Sequence, residues 1–207
     1  MNQNEHLIES KTTTQRAPLE LLLTWLRTRK ILPYVEAGVV LDFGCGAHLR
    51  TLRAVGNNAS QRFGIDSWYK DQQPTTVADG ITVVGSFTDL RTVLSKKNLK
   101  LNRILSLACF EHIETVDLIG ILKELAAVAT DDALLIGTVP TPAAKPVLEF
   151  LSYRLGLIDR TQIEDHKVYY NQDTLRSAFK GTGWEMTDYR TFQFGWNSFF
   201  VFGKSPK

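Results

Sequence analysis

The chain has 207 residues, enough for one domain of ordinary size and too few for two catalytic domains. Apolar residues make up 43% and charged residues 22%, which excludes the disordered and fibrous classes. With 24 basic and 22 acidic residues the net charge is +2, too small to favour nucleic acid as the main partner.

The cellular compartment is indicated by three features. Cys45 and Cys109 are too few for a disulfide framework and indicate reduced thiols. No apolar run approaches the roughly 18 residues that span a bilayer, and the polar N-terminus lacks the order of a signal peptide. We therefore predict a cytoplasmic protein without a transmembrane segment.

Along the chain, a flexible arm over residues 1–17 is predicted to precede a single domain over 18–207. Short apolar runs predict five buried strands, at residues 39–43, 62–66, 81–85, 103–109 and 133–139. Apolar residues at helical spacing predict helices that begin near Pro18, Leu90, Leu118, Lys145 and Asn171. This alternation of strand and helix predicts an α/β fold, a parallel sheet covered on both faces. The aromatic segment from Trp184 to Phe202 predicts an antiparallel hairpin at the edge of the sheet.

The first strand leads into Asp42-Phe43-Gly44-Cys45-Gly46, and Asp66 ends the second strand. A glycine turn followed by an acid at the next strand end is how a parallel sheet holds a nucleoside, with the carboxylate accepting from the ribose diol. A dinucleotide site would need a third glycine where Leu49 stands. Asp42 would also repel a pyrophosphate, whereas it suits a cationic amino-acid moiety. The pattern therefore favours an adenosyl ligand with an amino-acid tail over NAD.

Three segments resemble the class I S-adenosylmethionine-dependent methyltransferases, in the branch called type 11 small-molecule methyltransferases. They are Val40 to Gly46, Gly64 to Ser67, and Leu107 to Ile113, the last containing Glu111-His112-Ile113. The resemblance covers roughly residues 35–203. It implies a three-layer sandwich around a mostly parallel seven-stranded sheet with an antiparallel C-terminal hairpin strand.

The resemblance also implies S-adenosyl-L-methionine as the cofactor and a set of cofactor-binding residues. These are Asp42, Gly44, Cys45, Gly46, Asp66, Ser67, Trp68, Ser86, Phe87, Ala108 and Cys109. For Trp68, stacking on the adenine competes with ordinary surface packing. The two cysteines are expected to be small fillers beside the cofactor rather than nucleophiles.

The sequence departs from the family pattern at three positions. His48 replaces a glycine of the first motif, and its side chain would either crowd the methionine end of the cofactor or point to solvent. Ser86 replaces an adenine-binding acid and can still form a hydrogen bond, without charge. Ala108 stands where a quinone-biosynthesis branch has a further metal-binding acid, and we infer no metal.

His112 and His166 are the candidate catalytic bases. His112 follows the fourth strand, where the transferred methyl group should face the acceptor, although it could instead cap the next helix. His166 lies in the segment 141–170, which we expect to cover the acceptor. It could instead be a loop histidine that holds this segment in place. Histidine, with an unperturbed pKa near 6.5, can remove a hydroxyl proton near neutral pH.

We therefore predict a methyltransferase that O-methylates a small molecule such as a glycan, a lipid-linked compound or a secondary metabolite. Two alternatives remain open: a non-catalytic cofactor-binding module, which His48 and Ser86 favour, and an RNA methyltransferase. The second rests only on the basic residues Lys96, Lys97, Lys100 and Arg103, which also suit a solvated helix end. The expected partner is a small-molecule acceptor. A homodimer is compatible with the sequence.

Overall fold

The computed structural model describes residues 18–35, 38–154 and 166–205; the predicted arm at 1–17 lies outside them. In chain order, the strands are β1 (Val39–Phe43), β2 (Gln61–Ile65), β3 (Thr75–Thr76), β4 (Ile81–Val84), β5 (Leu101–Leu107), β6 (Ala129–Pro140), β7 (Trp184–Phe192) and β8 (Asn197–Lys204). The helices are α1 (Pro18–Ile31), α2 (Arg50–Val55), α3 (Phe87–Lys96), α4 (Thr115–Val128), α5 (Lys145–Tyr153) and α6 (Gln172–Phe179).

The eight strands form one sheet in the order β3-β4-β2-β1-β5-β6-β8-β7. The five strands from β4 to β6 run parallel to one another, and β8 and β7 are antiparallel additions. The predicted α/β class and C-terminal hairpin are confirmed. The sheet has eight strands rather than seven, because the two-residue strand β3 pairs antiparallel with the edge strand β4.

Alternating side chains of the parallel strands supply two apolar clusters, one on each face of the sheet. Within β1, Val39, Leu41 and Phe43 belong to one cluster and Val40 to the other. The first cluster takes in the buried faces of α3, α4 and α6, and the second takes in those of α1 and α2. Helices therefore cover the sheet on both sides, as the three-layer prediction requires.

The order of the strands reverses at β1. The chain runs outward from β1 through β2 to β4, then returns to place β5 on the other side of β1. In open parallel sheets a ligand binds at the carboxyl ends of the strands beside such a reversal. We therefore expect the ligand to bind among the loops that follow β1, β2, β4 and β5.

The helices in the described part of the chain include none that is both long and apolar enough to cross a membrane.

Candidate cofactor and acceptor site

The turn after β1 requires glycine at two positions. Gly44 and Gly46 have φ of +79° and +60°, a left-handed region that favours glycine. A Cβ on Gly44 would also overlap the sulfur of Cys109, so the turn passes directly against the segment that follows β5. The Gly44 N–H donates to the Ile65 carbonyl at 2.9 Å, which fastens the turn to the end of β2.

Asp66 holds two loops at this edge of the sheet. Its Oδ2 accepts from the Gly46 N–H at 2.8 Å, and its Oδ1 accepts from the Trp68 N–H at 2.9 Å. Because each carboxylate oxygen can accept two hydrogen bonds, both oxygens keep capacity for a ribose diol. The carboxylate is therefore held in place and still has free acceptor positions.

A cavity of about 420 Å³ opens beside this carboxylate. Of the residues predicted to bind the cofactor or to catalyse, seven line it: Gly44, Asp66, Ser67, Ser86, Phe87, Cys109 and His112. The sequence analysis did not single out its apolar wall, to which Ile113 and Ile121 belong. An apolar wall facing an anchored carboxylate is the arrangement expected for a nucleoside.

A second cavity, of about 160 Å³, lies on the other side of Gly44 and is lined by Cys45 and Gly46 as well. Its opposite wall comes from α1, which contributes Thr24 and Arg27. Nothing in the sequence singles out Arg27, because it stands among other cations near the end of a helix. Only the packing of α1 over the glycine turn brings the Arg27 side chain to this cavity.

His48 also lines this second cavity, and it is exposed to solvent. Its carbonyl accepts from Arg53 Nη1 at 2.9 Å, which orients the backbone of the turn. This departure from the family pattern therefore places an exposed imidazole at the border of the cavity.

Asp42 lies beneath the glycine turn and is only 2% exposed. Burial raises the pKa of its carboxyl to about 8, the nearby Asp66 carboxylate adds to this effect, and a hydrogen bond with Thr51 opposes it. A cation placed beside Asp42 would stabilise the ionised form and lower this pKa.

The serine at the adenine-binding position caps a helix. Ser86 Oγ accepts from the Asp89 N–H at 3.1 Å and donates to Asp89 Oδ2 at 2.6 Å. One lone pair of the hydroxyl remains for a ligand. The Trp68 side chain is 38% exposed, and its stacking on adenine stays a prediction.

The segment after β5 adopts an uncommon backbone conformation. Ala108 has φ of +51°, a left-handed conformation that is costly for a residue with a Cβ. Burial raises the pKa values of the Cys45 and Cys109 thiols well above the usual range, so both stay protonated near neutral pH. This agrees with the expectation that neither cysteine is a nucleophile.

The two predicted catalytic histidines lie together. The rings of His112 and His166 meet edge to face with their centroids 4.8 Å apart, although the two residues come from distant parts of the sequence. His166 Nδ1 lies 3.0 Å from the Tyr169 hydroxyl, a contact the sequence analysis did not predict. The segment that carries His166 is held by N–H groups of Lys167 and Val168, which donate to the Glu111 carbonyl at 2.7 and 3.2 Å.

Glu111 adds a buried carboxyl to this pair. It is 1% exposed, and its Oε2 finds no hydrogen-bond partner among the described residues. Burial raises its pKa to about 7. One ligating atom from each of Glu111, His112 and His166 lies within 4.8 Å of the others, a spacing that could also accommodate a metal ion.

Comparison with known proteins places this geometry in a family. Residues 14–189 match the family model described as a methyltransferase domain. No curated protein matches the chain significantly. Among solved structures, a methyltransferase of Haloferax volcanii in complex with the Trm112 methyltransferase activator shares 16% identity, with a TM-score of 0.62 over 88% of this chain and 90% of that one.

Two other solved structures share the fold. The magnesium protoporphyrin IX methyltransferase of Synechocystis PCC 6803, with bound SAH, is 15% identical, with a TM-score of 0.55 over 86% of this chain and 82% of that one. A protein of Sulfolobus solfataricus described as a type 11 methyltransferase is 13% identical, with a TM-score of 0.57 over 87% and 94% of the two chains.

The glycine turn, the anchored acid at the end of β2 and the cavities on both sides of Gly44 fit S-adenosylmethionine, and the family match covers all of them. The chain belongs to the methyltransferase-domain family and is an S-adenosylmethionine-dependent methyltransferase.

Proposed function

We propose that this methyltransferase O-methylates a small molecule and that a histidine, His112 or His166, removes the proton of the acceptor hydroxyl. The observation that carries the proposal is the contact of the two imidazole rings, 4.8 Å between centroids, with His112 lining the cavity that also holds Asp66. A general base must lie within hydrogen-bond reach of the proton that it accepts.

The chain offers a distinct group for each part of the cofactor. Asp66 would accept from the ribose diol. Arg27, which lines the smaller cavity, would pair with the carboxylate of the amino-acid moiety, and ionised Asp42 would attract its ammonium group. When bound, the cofactor supplies a methyl group on a sulfonium, which a nucleophile can displace directly.

In-line displacement requires the acceptor atom to lie about 3–3.5 Å from the methyl carbon and in line with it, and it requires that water be excluded. Positioning of this kind is the main contribution expected of the enzyme. The residues of the segment 141–170 would supply both. Helix α5 lies within this segment, and residues 155–165 lie outside the described part. Lys167 and Val168 tie its far end to Glu111, which keeps His166 beside His112.

The proton would then pass from the acceptor hydroxyl to a ring nitrogen. If His166 Nδ1–H donates to the Tyr169 hydroxyl oxygen, 3.0 Å away, Nε2 of His166 is the nitrogen that would accept the proton. We favour His112 as the base, because the end of β5 is fixed by the sheet.

The two alternatives receive less support from the described residues. His48 lines the smaller cavity, as a non-catalytic module would allow, but such a module leaves the contact between His112 and His166 without a role. The exposed lysines Lys96, Lys97 and Lys100 lie where α3 ends and β5 begins, at the amino edge of the sheet and away from the glycine turn. These cations therefore do not border the cavity that Asp66 lines.

The test is kcat on the true acceptor for His112→Ala and His166→Ala. A general base contributes typically 10²–10⁴-fold, so the variant that lacks the base should lose about that much kcat and keep its affinity for S-adenosylhomocysteine. If neither kcat falls tenfold, the histidine-base mechanism is wrong. Loss of wild-type activity on adding a chelator, restored by a divalent cation, would instead assign the cluster to a metal.

A further inference from the structure

A groove of about 630 Å³ lies between α1 and the C-terminal hairpin, apart from the cofactor cavities, with which it shares no lining residue. Three cations line it: Arg29 and Lys30 from α1, and Arg190 from β7. No acid lines it in the part of the chain that the structure describes. Asp188 is an acid that contacts two of the lining residues. Its carboxylate accepts from the Tyr34 hydroxyl at 3.3 Å and pairs with Arg190 at 2.9 Å. One acid against three cations leaves the groove positively charged.

The floor of the groove is aromatic. Tyr34 and Phe199 pack with their ring centroids 5.2 Å apart, and the Lys30 ammonium lies 5.8 Å from the centre of the Phe192 ring. Cations held over aromatic rings present charge at the surface while their alkyl chains cover apolar area. The groove therefore suits a ligand that is both anionic and amphipathic.

Exposed apolar side chains border the groove on both sides. On α1, Leu22 and Trp25 are 50% and 53% exposed, at helical spacing from Leu26 and Arg29 of the groove. The guanidinium of Arg29 lies 5.3 Å from the centre of the Trp25 ring. Large side chains exposed as a group, rather than singly, mark a site of interaction.

On the hairpin side, the turn that follows Phe192 carries Phe194, which is 94% exposed, and Trp196, which is 37% exposed. Their ring centroids are 5.6 Å apart. Exposed aromatic rings beside cations are the combination that binds the interface of an anionic membrane, where the rings enter the headgroup region and the cations meet the phosphates.

We propose that this surface, formed by the α1 residues Leu22, Trp25, Arg29 and Lys30 together with Arg190 and the turn containing Phe194, docks the enzyme on an anionic lipid bilayer. The proposal is independent of the methyl acceptor and of the catalytic histidines. Its charge is complementary to the lipid phosphates, and its exposed apolar side chains become buried when the protein is on the bilayer.

The experiment is co-sedimentation with vesicles of phosphatidylcholine alone and of equimolar phosphatidylcholine and phosphatidylglycerol. The wild-type protein should bind the anionic vesicles, and added salt should weaken this binding. Each membrane-facing cation contributes about fivefold, so Arg29→Gln with Lys30→Gln should weaken binding about 30-fold. Phe194→Ser should weaken it about tenfold, because a buried phenyl ring is returned to water.

Two variants serve as controls. Lys96→Gln with Lys100→Gln removes two exposed cations elsewhere, and Val116→Ser removes a side chain that is 75% exposed on α4. Both should bind vesicles like the wild type, and all variants should bind S-adenosylhomocysteine like the wild type, which shows that they are folded. If the charge variant lost that ligand, Phe194→Ser would still test the surface.

The proposal is overturned if the protein ignores anionic vesicles or if the controls weaken binding as much as the groove variants. It is also overturned if light scattering shows a dimer that Phe194→Ser dissociates, because the surface would then belong to a second copy of this chain. None of these outcomes bears on methyl transfer, which the histidine variants test separately.

Discussion

At the residue scale, Asp42 links protein stability to pH. Its carboxyl has a pKa of about 8 in the folded protein against an ordinary value of 3.8. The folded state therefore holds a proton that the unfolded state has released, and stability falls as the pH rises from about 4 to about 8. The steepest slope is about 1.4 kcal/mol per pH unit.

Asp42→Asn should remove this slope and make the cofactor-free protein more stable at neutral and higher pH. The same change should weaken S-adenosylmethionine binding, because the ammonium group of the cofactor loses its counter-charge. Urea unfolding at several pH values measures the first effect and calorimetric titration the second. Asp71→Asn, at an exposed position, is the matched control and should change neither. A slope that survives in Asp42→Asn would show that other groups set the pH dependence.

Replacing Asp66 is expected to weaken cofactor binding while leaving the protein folded. Asp66→Ala removes both acceptors of the ribose diol, and two charge-assisted hydrogen bonds predict at least about 10²-fold weaker binding of S-adenosylhomocysteine. Asp66→Asn keeps one oxygen and should lie between the wild type and Asp66→Ala. Circular dichroism without ligand checks that the variants fold, which matters because Asp66 also accepts from Gly46 and Trp68. Wild-type affinity in folded Asp66→Ala would place the ribose elsewhere.

The sequence predicted the parts of the site that are local. Gly44 and Asp66 directly follow β1 and β2, and Gly46 lies two residues after Gly44, so the strand ends were enough to place all three at one edge of the sheet. Arg27 and Tyr169 were missed because their position depends on how a helix and a loop pack. No spacing in the sequence brings Arg27 to the glycine turn.

Among the helices and strands, the sequence failed to predict α2 and β3, because both are too short to show a periodic pattern. Helix α2 has only six residues and follows Leu49, whose φ is +52°, so it is too short to display a helical period. Strand β3 has two residues and no apolar pattern. Strand β6 begins at Ala129, four residues before the predicted start, because Asp131 and Asp132 interrupt its apolar run.

Replacing glycine by alanine should have opposite effects on stability at two positions, Gly137 and Gly120. In β6, a Cβ on Gly137 would lie 2.6 Å from the Ser106 carbonyl oxygen and overlap the Phe200 ring, so Gly137→Ala should destabilise the fold by about 1–3 kcal/mol. In α4, a Cβ on Gly120 meets nothing within 4 Å, so Gly120→Ala should stabilise it by about 0.5–1 kcal/mol. Denaturant unfolding of the two variants measures both, and equal effects would contradict the packing at Gly137.

At the scale of the whole molecule, cofactor binding should raise stability in a selective way. S-adenosylhomocysteine at 100 times its dissociation constant should add about 2.7 kcal/mol of apparent stability, and NAD at the same concentration should add none. Thermal unfolding with each ligand makes the comparison. Stabilisation by NAD alone would contradict the role assigned to Asp42 and to the turn at Gly44.

The position of β8 has a consequence for biosynthesis. Among the described strands, β8 emerges last from the ribosome, yet it lies inside the sheet between β6 and β7, and β7 pairs with β8 alone. Until β8 has paired, β6 presents an open edge over residues 134–140, and the phenylalanines of β8 are not yet buried. Such an edge can template pairing with another chain. Pairing of β8 with β6 therefore covers an aggregation-prone edge, and it can occur only after the last strand of the sheet has left the ribosome.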